Sequence, residues 1–232
     1  MSHSKVTCAV ILTIAIMQAV FAASANEVID VIRGSKTTQA FTQEEVSEDD
    51  LKTILEVGLS TASAINQQPW HFVVLSDTEL MNKLGEIPAG MPAGIPSDRK
   101  PEGDFGDNPP PAMPGAPTDG ASAKASLGDS PVAIILYANR KSISPNVDFD
   151  CGLACQNMVI AANSLDYGTK IISSPTNALN GDDHDSICDT LGIDRDLYAV
   201  AVLLIGRGDV SVDGYSGATT RFSIDEKVTF VE

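Results

Sequence analysis

Residues 63–75 read SAINQQPWHFVVL, a cluster of side-chain amides that runs directly into a short apolar segment. The segment from His71 to Leu75 is rich in β-branched and large apolar residues, which predicts a buried strand. Upstream, residues 51–59 place leucine and isoleucine at helical spacing, which predicts an amphipathic helix. An Asx-type turn would explain part of the cluster. However, three amides, a proline and the sole tryptophan within five residues exceed what a turn needs.

The same patterns elsewhere predict an α+β fold. Ser47 is expected to cap the 51–59 helix and Asp77 the next one. Helices are predicted at 27–33, 51–59, 78–84, 150–165 and 185–191, and strands at 71–75, 132–137, 169–172 and 199–205. The most apolar of these strands, 199–205, is expected to be central in the sheet. Residues 228–231 are a candidate for a last strand that pairs with a partner subunit.

Composition and charge narrow the range of functions. The chain has 232 residues, 43% of them apolar, and a formal net charge of -16. This is the composition of a globular protein. The excess of acidic residues argues against binding to nucleic acid, which requires a basic surface. It disfavours an anionic membrane surface for the same reason.

The first 25 residues resemble a secretory signal peptide. A polar stretch with one lysine precedes an almost wholly apolar run from Val6 to Ala22, and Ala23-Ser24-Ala25 fits a signal peptidase site. The mature domain would then be residues 26–232, located in the periplasm or outside the cell. The alternative is an uncleaved signal that anchors the protein in the membrane, although the run is short for a span.

Residues 87–117 form a proline- and glycine-rich insertion. Nine of the 13 prolines and five glycines fall within it, so it cannot sustain a helix or a central strand. It is either a disordered surface excursion or a lid over a pocket, since long loops in compact domains often serve as lids.

The cysteine residues do not indicate a disulfide-stabilised fold. Beyond the signal segment the cysteines are Cys151, Cys155 and Cys188, an odd number that cannot form a closed disulfide framework. Buried thiols are the favoured interpretation, and one disulfide to Cys188 is the alternative.

Familiar catalytic motifs are missing from the sequence, and no metal site is predicted. The sequence contains no His-x-x-x-His pair, phosphate-binding Gly-x-x-x-x-Gly-Lys loop or Gly-x-Ser-x-Gly elbow, so a cofactor is expected to carry any reaction.

A second unusual pattern is Arg33-Gly34-Ser35-Lys36-Thr37, which lies at the end of the first predicted helix. A guanidinium with neighbouring hydroxyls is suited to holding a phosphate or the edge of a heterocycle.

Together these patterns resemble the FMN-dependent nitroreductase family. The order of an opening helix with Arg-x-Ser, a second helix, Ser-x-x-Asn-x-Gln-Pro-Trp and a strand matches that family. The later helix with Gln156-Asn157 also fits, as does Arg221 in the terminal segment. The resemblance implies a nitroreductase-like fold, with a central, mostly antiparallel sheet flanked by helices, that forms an intertwined homodimer with FMN at the subunit interface.

The resemblance also implies roles for individual residues. Arg33 and Ser35 would contact the phosphate, ribityl chain or pyrimidine edge of FMN, and Arg221 would clamp the phosphate. Thr37 stands where the family often has a second basic residue, for which Lys36 would substitute. From the neighbouring subunit, Ser63 and Asn66 would complete the pocket that Gln68 shapes. The backbone N–H groups of Ser173 and Ser174 would approach the flavin O4/N5 edge.

The implied activity is an FMN-dependent oxidoreductase. It would reduce a small planar acceptor, such as a nitroaromatic or a quinone, in a ping-pong reaction without a catalytic protein residue. NAD(P)H is the common electron donor of the family, but export would favour another donor. The alternatives are an exported flavin-binding protein without turnover and a relative that uses the pocket for a different ligand.

Overall fold

The computed structural model describes residues 27–87, 126–211 and 222–231. The predicted signal segment, almost all of the 87–117 insertion and Arg221 lie outside the described residues. Within the described ranges, no helix combines the length and the apolar character needed to cross a membrane.

The described residues form helices and strands close to those predicted. The helices are α1 (27–34), α2 (Glu48–Leu59), α3 (Thr78–Gly85), α4 (Val147–Ser164), α5 (Thr176–Leu179), α6 (His184–Leu191) and α7 (Ile224–Lys227). The strands are β1 (Trp70–Leu75), β2 (Val132–Asn139), β3 (Gly168–Ile172) and β4 (Leu197–Gly206). Short 3-10 turns occur at Ala64–Asn66 and Leu127–Asp129.

The four strands form one antiparallel sheet in the order β1-β2-β4-β3. This arrangement confirms the predicted antiparallel sheet and the interior position of the 199–205 strand. Trp70 pairs with Ala138, which pairs with Tyr198 of β4, whereas Ile172 pairs with Val202. Consequently β3 runs along the opposite edge towards the end of the sheet where β1 begins, and its last residue, Ile172, lies level with Val73 of β1.

Local signals explain where the helices begin. The Ser47 hydroxyl accepts the Asp50 N–H, and the Asp77 carboxylate accepts two N–H groups of α3, as predicted. Helix α4 begins at Val147, three residues before the expected start at Asp150. The Asp150 N–H already donates to the Asn146 carbonyl, which places Asp150 inside the first turn.

Helices cover both faces of the sheet. On one face, α2 and α4 pack through Ile54 and Met158 against Ile134 and Leu203. The opposite face packs against α3, α5 and α6, and Tyr137, Val202 and Leu204 lie in that layer. The sheet is therefore buried on both sides, which explains why β2 and β4 are nearly continuous apolar runs.

The three cysteines among the described residues, Cys151, Cys155 and Cys188, are free and buried. Cys155 packs with the α2/α4 layer, whereas Cys188 lies in α6 on the opposite face of the sheet. Because a disulfide requires Cα atoms within about 7 Å, the alternative of a bridge to Cys188 is wrong. Burial raises the pKa of Cys151 and of Cys155 to about 12, as expected for unreactive structural thiols.

Residues 228–231 form no strand within the described part of this chain, and the predicted pairing with a partner subunit stays a prediction. Residues 228–231 have no ladder partner among the described residues, and Phe230 is 77% exposed. A strand requires a neighbour to accept and donate its hydrogen bonds, and the described part of the chain offers none here.

Candidate functional site

The amide cluster, residues 63–68, is a compact loop ahead of β1. The Gln68 N–H donates to the Ser63 hydroxyl at 2.8 Å, and the Gln68 amide donates to Asn66 Oδ1 at 3.2 Å. Asn66, Gln67 and Gln68 are exposed. The loop therefore presents polar side chains to its surroundings while its backbone is fixed by local hydrogen bonds.

The backbone of this loop is strained. Ile65, Asn66 and Gln68 have φ angles of 48°, 58° and 45°. Such angles are unusual for residues other than glycine, and for a β-branched residue such as isoleucine they are true outliers. Ile65 is also 72% exposed, so burial of its side chain does not compensate for the strain. Local strain that the surrounding structure maintains is characteristic of functional sites.

A buried carboxylate holds the loop against α4. Asp150 is only 3% exposed, and its two oxygens lie 3.2 and 3.3 Å from the Ala64 nitrogen, which donates to them. The Ser144 hydroxyl donates to Asp150 Oδ2 at 2.8 Å. The sequence analysis treated Asp150 only as a helix boundary. An acidic residue followed by small, apolar residues was the available signal that it is buried.

The Arg33–Thr37 segment lies beside β3. Thr37 forms a parallel bridge with Thr169, and the Thr38 N–H donates to the Thr169 carbonyl at 2.9 Å. Gly168 makes this approach possible, because a Cβ at that position would fall on Thr38 Oγ1 and within 3.1 Å of Thr38 Cβ. The sequence analysis did not single out Gly168 or Thr38.

A groove of about 350 Å³ opens at this point, where α1 meets the beginning of β3. Its lining comprises Val31, Gly34, Lys36, Thr38, Asn163, Asp166, Tyr167, Gly168, Gly208 and Val210. Among the described residues, neither Arg33 nor Lys36 has an ion-pair partner, although the chain is strongly acidic. Lys36 lines the groove and is available to an anionic ligand there, whereas Arg33 is exposed at the end of α1, next to the lining residue Gly34.

One wall of the groove is fixed by Tyr167. Its hydroxyl donates to the Asp50 carboxylate at 2.8 Å, and the Arg207 guanidinium lies 4.4 Å from the centre of its ring. Hydrogen bonds from Ser47 and Tyr167 lower the pKa of Asp50. The anionic form of Asp50 is therefore the one that accepts the Tyr167 hydroxyl.

Ser173 and Ser174 follow β3 at its opposite end. Both are exposed, and neither backbone N–H has an acceptor among the described residues. Ser173 contributes its carbonyl, which accepts the N–H and the hydroxyl of Thr176 at the start of α5. Two free N–H groups on a turn fixed in this way are suited to an acceptor atom of a ligand.

The described chain does not bring all predicted site residues together. Thr37 lies level with Thr169, and Ser173 is four residues further along the same strand, about 13 Å away at the strand rise of ~3.3 Å per residue. An elongated ligand can run along β3 between them. The amide cluster lies beyond β1, at the other edge of the sheet and about 14 Å from β3 at the usual strand spacing. Ser63, Asn66 and Gln68 therefore do not join the Arg33–Thr37 group within one chain.

Comparisons with known proteins identify the family. Residues 32–207 match the profile described as "Nitroreductase family". The chain is 24% identical over 214 residues to "Putative NAD(P)H nitroreductase YdgI" of Bacillus subtilis, covering 86% of this chain and 95% of that protein. It is 26% identical over 148 residues to "Putative NADH dehydrogenase/NAD(P)H nitroreductase" of Methanothermobacter thermautotrophicus, covering 62% of this chain and 60% of that protein.

The fold is also that of solved nitroreductases. A nitroreductase with bound FMN from Desulfitobacterium hafniense superposes with a TM-score of 0.66 at 19% identity, covering 89% of this chain and 98% of that one. The profile match spans most of the chain and includes all four strands. The chain belongs to the nitroreductase family.

Proposed function

We propose that this protein binds FMN and reduces a small planar acceptor, such as a nitroaromatic or a quinone. Two observations carry the proposal: Arg33 and Lys36, which have no ion-pair partner among the described residues, lie in the segment beside the start of β3, and two free N–H groups follow the end of that strand about 13 Å away. A flavin nucleotide offers the matching chemistry, because an anionic phosphate and a ring with acceptor atoms lie at its two ends.

The residues present fit FMN. Arg33 and Lys36 would hold its phosphate, with the Ser35 and Thr37 hydroxyls nearby. Gly168 and Thr38 both line the groove, and the absence of a side chain at residue 168 lets Thr38 pack against β3 there. Ser173 and Ser174 would donate N–H groups to the ring. Arg221, outside the described residues, remains a proposed phosphate ligand.

When bound, FMN would supply the two-electron chemistry that links an electron donor to the acceptor. The protein residues would bind and orient. Arg33 and Lys36 fix one end by charge, so that the ring has a single orientation. The N–H groups of Ser173 and Ser174 would stabilise negative charge that develops on an acceptor atom beside them. No side chain is required as a nucleophile.

The complete site would need two subunits. We propose a homodimer in which Ser63, Asn66 and Gln68 of one copy face the Arg33–Thr37 group of the other. Apolar surface supports this assembly: Val28 and Ile32 of α1 are 57% and 48% exposed, and Phe230 and Val231 of the terminal segment are 77% and 92% exposed. Exposed apolar groups on two such segments are typical of a surface that another chain covers.

We also propose that residues 1–25 direct export and that the mature protein acts in the periplasm or outside the cell. This proposal rests on the apolar run and the small-residue cleavage pattern alone. A donor other than NAD(P)H would then supply electrons. Amino-terminal sequencing of the protein from fractionated cells would test it, since a mature chain that begins at Asn26 is expected.

Spectroscopy and turnover test the enzymatic proposal together. Purified protein should show flavin absorption that bleaches with dithionite under anaerobic conditions and returns when a nitroaromatic or a quinone is added. Absorption that bleaches but does not return with any acceptor would favour a flavin-binding protein without turnover. Protein that neither carries nor takes up FMN would refute the proposal.

A further inference from the structure

We propose that Asp150 is a positioning residue that holds the amide cluster in its strained, ligand-facing conformation. The inference deepens the proposed function and rests on it, because the cluster is assigned there to the FMN pocket. Asp150 itself is buried and touches no ligand; it would act through Ala64.

The contacts of Asp150 are specific to the loop. A buried carboxylate is costly unless hydrogen bonds satisfy it. Here the partners are the Ala64 N–H and the Ser144 hydroxyl. A helix cap would accept N–H groups of its own helix. Among the described residues, no α4 amide donates to the Asp150 side chain, so capping does not explain its burial.

Asp150 is also the link between the loop and the rest of the fold. The other hydrogen bonds of residues 63–68 close the loop on itself, from Asn66 and Gln68 back to Ser63 and from Gln67 to Ala64. Within the described ranges, the Asp150–Ala64 contact is the hydrogen bond that ties residues 63–68 to another element.

That link is positioned where it controls the strained residues. Ala64 opens the 3-10 turn, directly before Ile65 and Asn66 with their positive φ angles. The bond to Asp150 fixes the position of the Ala64 nitrogen and so the start of the turn. The hydrogen bonds from the Asn66 and Gln68 N–H groups to Ser63 then fix the backbone as far as Gln68. Without the link, the backbone is free to relax into more favourable φ values and Asn66 turns away from the ligand.

Three variants separate positioning from general stability. Asp150→Ala removes the carboxylate. Asp150→Asn keeps an oxygen that accepts the Ala64 N–H, and its side-chain N–H can donate to the Ser144 hydroxyl oxygen, so it is the conservative variant expected to restore binding. Ile187→Ala is the control. Ile187 is buried in α6 on the other face of the sheet, so its replacement lowers the stability of the fold without touching the loop.

A fourth variant breaks the same link from the loop side. Ala64→Pro removes the N–H donor and leaves α4 unchanged. Ser63 already has φ −136° and ψ 159°, the extended conformation that a residue before proline requires, and proline is tolerated at the first position of a helical turn. This variant keeps the inference testable if Asp150→Ala does not fold.

The full-length protein is titrated with FMN, and amide hydrogen exchange of residues 63–68 is measured without ligand. Asp150→Ala and Ala64→Pro should each weaken FMN binding at least about tenfold, the loss expected for a hydrogen bond to a charged group. The double variant Asp150→Ala/Ala64→Pro should bind FMN no more weakly than either single variant, because the two substitutions remove the same Asp150–Ala64 contact. Asp150→Asn and Ile187→Ala should bind FMN like the wild type, and exchange should accelerate within residues 63–68 only in the two disrupting variants.

The outcomes distinguish the two proposals. Wild-type protein that does not bind FMN would overturn the proposed function and this inference with it. If the wild type binds FMN but Asp150→Ala and Ala64→Pro bind as tightly as Ile187→Ala, the positioning role of Asp150 is overturned and the proposed function stands.

Discussion

Replacement of Gly168 by alanine tests the packing on which the groove depends. The added methyl group would fall on Thr38 Oγ1 and lie within 3.1 Å of both Thr38 Cβ and Cγ2. Thr38 is 7% exposed and tied through its N–H to Thr169, so it has little room to yield. Either the threonine side chain rotates or the 37–38 segment moves away from β3.

The expected cost follows from these contacts. Overpacking of this kind costs about 1–3 kcal/mol, and loss of the Thr38–Thr169 hydrogen bond would add about 1 kcal/mol. Gly152→Ala is the matched control: Gly152 is exposed within α4 and has nothing within 4 Å of the added methyl group. That variant should gain about 0.5–1 kcal/mol from helix propensity.

Urea unfolding of both variants measures the difference. Gly168→Ala should lower the free energy of unfolding and weaken FMN binding, while Gly152→Ala should raise the free energy of unfolding. The double variant Gly168→Ala/Thr38→Ala should recover part of the stability lost in Gly168→Ala, because it removes Thr38 Oγ1 and Cγ2 and leaves only Cβ near the added methyl group. A Gly168→Ala protein as stable as the wild type, or no recovery in the double variant, would contradict the described contact between Thr38 and β3.

Three further predictions concern the core and the surface. The Tyr137 hydroxyl is buried without a hydrogen-bond partner among the described residues, so Tyr137→Phe should be neutral or stabilise by up to about 1 kcal/mol in urea unfolding. Cys151 and Cys155 have an ordinary pKa of 9.0, raised by burial to about 12, so the folded state retains protons that the unfolded state releases above pH 9. Stability should therefore fall as pH rises from 9 towards 12, by at most about 1.4 kcal/mol per pH unit for each thiol, and Cys151→Ala/Cys155→Ala should flatten that slope. Phe230→Glu should shift the protein towards monomer in light scattering, since a charge at this exposed apolar position opposes a dimer; an unchanged mass would argue against the proposed interface.

The sequence predicted the elements of this fold well because their signals are local. The β-branched run at 199–205 and the capping residues Ser47 and Asp77 each determine structure through their own neighbours. The segment at 228–231 differs, because its signal is not sufficient by itself and the predicted pairing with a partner subunit stays a prediction. Its alternating apolar residues indicate β structure, but forming a strand depends on a partner that the described chain does not supply.

The candidate site was only partly predictable. Motif resemblance identified Arg33 and the amide cluster, but it assigned them to contacts across a subunit interface. The Asp150–Ala64 bond joins residues 86 positions apart, and the fit of Thr38 against Gly168 joins residues 130 apart, so neither leaves a local pattern. Such contacts become visible only when the sheet brings α4 and β3 beside these loops.

The claim that Arg33 and Lys36 hold the flavin phosphate is tested most directly by the FMN affinities of a charge variant and its control. Arg33→Ala/Lys36→Ala removes the two unpaired cations beside the groove, and Lys83→Ala removes an exposed lysine from the last turn of α3 as the control. The wild type and Lys83→Ala should bind FMN equally, with an affinity that falls as salt is added, and the double variant should bind at least about tenfold more weakly. Equal FMN binding by all three proteins, or none by the wild type, would contradict the assignment of this groove to the flavin phosphate.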